Sequence, residues 1–176
     1  HKYNISVKAN RTVRIPLSVP DHRVDDLHAT HNLYQHCQNR TVDWCWPDTP
    51  THPDDLKTSK GDAEDALYHD LRETTDYTLN ANLVQKAIKD AVGAVGSCKT
   101  SWKNGDRISK PAFEDHDDAS YTMTYDKRAA TYHRYKASFA VVNGAPVECQ
   151  YELPEELTGT PYERYVLNDQ RASSTY

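Results

Sequence analysis

No apolar run in the sequence approaches the roughly 20 residues that a membrane-spanning helix needs, so no such span is expected. Cysteine is sparse and scattered. Cys37, Cys45, Cys98 and Cys149 form no C-x-x-C pair, which excludes a zinc ribbon within this segment and argues against a disulfide framework. His28, His31, His36, Cys37 and Cys45 come nearest to a metal cluster, but their spacing matches no standard site. No secretory signal opens the chain. It begins at His1 rather than Met, so the first residue is expected not to be the natural start. Phenylalanine is rare, with two residues against twelve tyrosines. Hydrophobic residues make up 37% of the chain, and the mean hydropathy is −0.88. A length of 176 residues fits one domain, or two small ones, around a modest core.

What is present is charge, unevenly spread. The formal net charge of −5 by itself argues against a nucleic-acid partner. Acids dominate residues 41–76, from Asp43 through Asp54, Asp55 and Asp70 to Asp76. Positive charge is confined to islands. Lys2, Lys8, Arg11 and Arg14 lie in an acid-free opening, and Lys127, Arg128, Arg134 and Lys136 in a second acid-free stretch. Lys99, Lys103, Arg107 and Lys110 are opposed only by Asp106. An Asp-rich, Lys-poor surface is what a salt-loaded cytoplasm favours. Near molar salt the Debye length is only ~3 Å, and counterion release gives little drive. A nucleic-acid binder there depends on stacking, shape and close hydrogen bonds, and the tyrosines beside basic residues fit that need.

The clearest periodicity runs from Leu79 to Pro111. Leu83, Val84, Ala87, Ile88, Ala91, Val92 and Val95 form one helical stripe, with Asn80 or Asn82 as the cap. A positive, Trp-bearing loop carrying Trp102 is expected to follow. Before this helix, residues 22–45 read as a helix through Leu27, Tyr34 and Cys37, with Trp44 and Trp46 as core or docking aromatics and Pro47 as the stop. Residues 47–62 are a Pro- and Asp-rich loop, and a short helix runs from about Asp62 to Arg72. Residues 2–19 alternate, with Val13, Ile15 and Leu17 on the inner face of a strand. After the acidic turn of residues 111–120 the period returns to two. Tyr121, Met123 and Tyr125 alternate, and Thr131 to Val142 and Ala145 to Leu153 flank Asn143–Gly144, a strong hairpin signal. Tyr162 to Leu167 reads as a strand or a short helix.

A lone opening strand must pair with the later ones. The expected fold is therefore α+β, a small antiparallel β-barrel of OB-like form interrupted by a helical insertion. Residues 1–20 and 118–176 would form the split barrel, and residues 21–117 the helical lobe.

The order of VRIPLSVP, DDLHATHNLYQHCQN, ALYHDLRETTDYTLNANLVQKAIKDA, SWKNGDRISKPAF, SYTMTYDKRAATYH, SFAVVNGAPVECQYELP and GTPYERYVLND resembles the N-terminal half of the TnpB/OrfB proteins of insertion-sequence transposons, in the acidic form of halophilic archaea. The resemblance covers nearly the whole chain. It implies a wedge barrel interrupted by a recognition lobe, and an RNA-guided DNA nuclease as the parent activity. Guide RNA and target DNA would be the partners, in the cytoplasm, with the oligomeric state open. It also implies that the magnesium and zinc sites belong to a C-terminal half outside this sequence. None of the six glycines starts the family's G-x-D strand, so no catalytic residue and no cofactor site are expected here.

Three sets of residues are candidates for nucleic-acid contact. The first is Arg11 and Arg14 on the opening strand. The second is Trp102, Lys103, Arg107 and Lys110 after the stripe; Trp102 reads equally as a core anchor. The third is Tyr121, Tyr125, Lys127, Arg128, Tyr132, His133, Arg134, Tyr135 and Lys136, where aromatics interleave with bases as on a stacking platform. The competing readings are a hydrolase built on His116–Asp117–Asp118, a stand-alone RNA- or DNA-binding module, and a truncated remnant without a partner.

Overall fold

The computed structural model describes residues 14–114 and 122–152, with Glu155 and Gly159 as isolated positions. Three helices carry the core. Helix α1 spans Val24–Cys45 and buries Tyr34, Cys37, Thr41, Val42 and Cys45 at spacings of one, three and four. It ends where Trp46 turns extended ahead of Pro47, because the residue before a proline is steered away from the helical region. Helix α2 spans Lys60–Thr74, with the Ser59 side chain accepting from the Asp62 amide at its start. Ala63, Leu67 and Leu71 form its buried edge. Helix α3 spans Ala81–Lys103, and the Asn80 side chain caps it by accepting from the Asn82 amide at 2.9 Å. Its whole predicted stripe, Leu83 to Val95, is buried. Each large aliphatic side chain there contributes about 1.5–3 kcal/mol by leaving water.

Helix α2 closes with a tight reversal. The Asp76 amide donates to the Glu73 carbonyl and the Tyr77 amide to the Arg72 carbonyl, both at 2.8 Å, which together make a Schellman closure. Asp76 and Tyr77 both hold positive φ, at 50° and 55°. For non-glycine residues that conformation costs about 1–2 kcal/mol each.

The strands are short. β1 is Leu17–Ser18, β2 Ala130–Tyr132, β3 Lys136–Phe139 and β4 Val147–Tyr151. They form one antiparallel sheet in the order β1-β4-β3-β2. Leu17 partners Tyr151, so all three helices lie in the chain between two neighbouring strands. The sheet rests on the start of α1. The Val142 amide donates to the buried Thr30 hydroxyl at 3.0 Å, and Arg23 donates to the Ala145 carbonyl at 2.7 Å. Val141, Val147 and Cys149 make a small apolar cluster with Val19, Leu27 and Phe139.

The expected OB-like barrel is not formed. The two outer strands, β1 and β2, do not pair with each other, and the sheet is open among the described residues. Four strands of two to five residues give too little ladder to wrap around. Three local expectations also change. Leu17 faces solvent, and the described part of the opening stretch has regular pairing only at Leu17–Ser18. The run Thr131 to Val142 is two strands, because the chain turns at Arg134–Tyr135, closed by the His133 amide donating to the Lys136 carbonyl at 2.8 Å. Residues 122–126 are not a strand. Val13, Tyr121 and the stretch Tyr162 to Leu167 lie outside the described residues.

Candidate nucleic-acid interface

The second candidate set divides at the end of α3, with Trp102 and Lys103 on the helix and Arg107 and Lys110 in the irregular chain after it. Without a breaker before Asn104–Gly105, α3 runs on through Trp102 and Lys103. Trp102 is half-buried and packs on the core, so it acts as an anchor. Lys103 and Lys99 reach one carboxylate oxygen of Asp54, at 3.0 and 3.2 Å. The two ammonium groups, Lys103 first, hold the exposed Asp54 carboxyl below its ordinary range. Asp54 is placed by a short turn, Pro53–Asp55, in which Asp55 accepts from the amides of Thr51 and His52. Lys110 pairs with Asp43 of α1 at 2.8 Å, while Arg107 is exposed. The acidic loop after α1 thus supplies one partner, Asp54, for two cations of α3.

The third set divides. Tyr125 points inward: its ring is buried edge-on to Phe139 at 5.1 Å, and its hydroxyl donates to the Ala140 carbonyl at 3.0 Å. Burial raises its pKa. Tyr132 is half-buried against the same Phe139. Tyr125 therefore presents no free stacking face. Arg128 folds back onto Asp126 through two of its nitrogens, at 2.9 and 3.2 Å, which lowers the Asp126 carboxyl and raises the guanidinium. Lys136 pairs with Glu148 across β3 and β4 and holds that carboxyl low. Lys127, His133, Arg134 and Tyr135 are exposed. Tyr135 is 57% exposed at the tip of the β2–β3 turn, with the Arg134 guanidinium 5.2 Å from its ring centre. Its carbonyl accepts from the Tyr151 amide at 3.0 Å, which ties the tip to β4. Of the first set, Arg14 is exposed just ahead of β1, and Arg11 lies outside the described residues.

Two further cation–aromatic pairs escape the sequence reading. Lys57 lies 4.6 Å from the Trp44 ring centre, and Arg72 lies 5.2 Å from that of Tyr77. Neither has a signal in one dimension, since the first pair is made by a loop that returns Lys57 to the end of α1 and the second by the reversal that closes α2. Among the described residues, no group of three or more His, Cys, Asp or Glu side chains could hold a metal ion. No helix among them is long and apolar enough to cross a membrane. His116, Asp117 and Asp118 lie outside the described residues.

Burial dominates the remaining chemistry. Cys37 and Cys45 are pushed up to about 12 and about 11 by desolvation, so neither is an activated thiol. Tyr34 is raised further, by burial first and then by Asp90, whose carboxylate accepts its hydroxyl at 2.5 Å. In comparison with known proteins, no family model and no curated protein matches the chain.

Proposed function

We propose that this chain is the nucleic-acid-binding N-terminal region of a transposon-encoded TnpB-like RNA-guided DNA endonuclease, holding guide RNA and target DNA while another part of such a protein cuts. The observation that supports this most is the strand pairing. The opening strand returns to β4 around an inserted helical unit, which is the interrupted layout that the order of the resembling segments implies. The exposed tip at Arg134–Tyr135, next to exposed His133, offers a flat aromatic surface with a guanidinium beside it, on a hairpin tied to β4. Stacking there suits a protein with net charge −5, because it does not depend on a positive field.

The test is filter binding of structured RNA to the purified chain across a range of salt. Binding that persists at high salt is expected. Tyr135→Ala should weaken it by about 1–3 kcal/mol, and Arg134→Ala should flatten the salt slope by about one. No binding at any salt overturns the reading. A second reading, a non-catalytic remnant with no nucleic-acid partner, is favoured by one observation. Lys103, Lys110, Arg128 and Lys136, all nominated for nucleic-acid contact, are closed on carboxylates.

A further inference from the structure

Tyr77 is out of place for a residue that serves only the fold. It sits in the turn between α2 and α3, 60% exposed, and contributes little to the core. The Schellman closure of α2 needs positive φ at Asp76, a residue type that tolerates it. Tyr77 takes positive φ as well, which is an outlier for a bulky side chain. Glycine or asparagine would make the same turn without the cost. The ring is not idle. Arg72 donates to the Leu79 carbonyl, which fixes its guanidinium near the Tyr77 ring, 5.2 Å from the ring centre.

We propose that Tyr77, backed by Arg72, is a stacking site for an unpaired base of RNA. The inference rests on the nucleic-acid reading above and adds a contact that reading does not contain. The surrounding charge selects the base rather than the backbone. Glu73 and Asp76 are exposed at this turn, and they repel a phosphate. A neutral flat base meets no such barrier. A paired base inside a duplex offers no free face, whereas a splayed nucleotide does. The strained backbone holds the ring outward, so little order is lost on contact.

The experiment uses the full chain and a single-stranded RNA carrying a fluorescent adenine analogue, with thermal melts run beside each titration. Tyr77→Phe should bind and quench like the parent. Tyr77→Gly should bind about tenfold more weakly, lose much of the quenching, and melt no lower than the parent, since glycine accepts the positive φ. Tyr77→Asn, which also tolerates that conformation, gives the same readout should the glycine variant fold poorly. Parent-like binding and quenching by the folded Gly or Asn variant overturns this site and leaves the nucleic-acid reading intact. Failure of the parent to bind this single-stranded RNA overturns the site, and failure to bind structured RNA as well overturns both.

Discussion

A phenol, a carboxylate and a threonine join three parts of the chain. The Tyr34 hydroxyl on α1 donates to Asp90 on α3, Thr124 donates to the same oxygen at 3.1 Å, and the Thr124 amide reaches the Tyr34 oxygen at 3.4 Å. Removing the hydroxyl leaves the carboxylate with one partner fewer. Tyr34→Phe should cost about 1.5–3 kcal/mol, measured as the shift of a urea midpoint. The same tyrosine, with Tyr125, Cys37 and Cys45, sets an alkaline limit. All four have folded pKa values above their ordinary ones. Their protonated forms therefore favour the fold below the unfolded values, and that stability drains as pH rises through them, from about pH 8.5 for the thiols and about pH 10 for the phenols. Thermal melts above pH 8.5 should fall steadily, and native thiol labelling should reach half-buried Cys98 before Cys37 or Cys45. Residue roles were the least legible feature of the sequence. Tyr125 and Tyr135 both stand near basic residues, yet one ring is inside and the other out. Alternation does not say which face is covered until the strand's partners are known.

At the scale of elements, α3 was the most legible, because a stripe of seven apolar residues at helical spacing has one economical use. Its glycines offer a direct check. Gly93 and Gly96 lie within the helix, and a Cβ built on either meets nothing within 4 Å. Gly93→Ala and Gly96→Ala should each stabilise the protein by about 0.5–1 kcal/mol, seen as a higher denaturant midpoint at unchanged slope. The strands were legible in type and poorly legible in extent. Val147 and Cys149 are buried between exposed Glu148 and Gln150, as the alternation predicts. Asn143 and Gly144 do take positive φ, but inside a longer connection between Phe139 and Val147. The tighter turn is at Arg134–Tyr135, where neither residue type announces one.

Over the whole molecule, acid and base are less segregated in space than along the chain. Asp54, Asp126 and Glu148 are each held below their ordinary range by a lysine or arginine partner. A lowered carboxyl stabilises the fold above its unfolded pKa of about 4, and that contribution is lost as pH falls through the lowered folded value. The melting midpoint should therefore drop on acidification below about pH 4. Asp54→Asn should make the drop shallower, and added salt should shrink the difference between parent and variant. Sequence showed the islands of charge but not their partners, because a loop such as Pro53–Asp55 has no period from which its landing place can be read.

The pairing of Leu17 with Tyr151 also orders events during synthesis. A ribosome adds about 5–20 residues per second, so the opening strand emerges seconds before its neighbour exists. All three helices can assemble in that interval from contacts among themselves, and the sheet is the last part to zip. A nascent chain halted before β4 would display an unpaired strand, with its free N–H and C=O groups, beside a finished helical core.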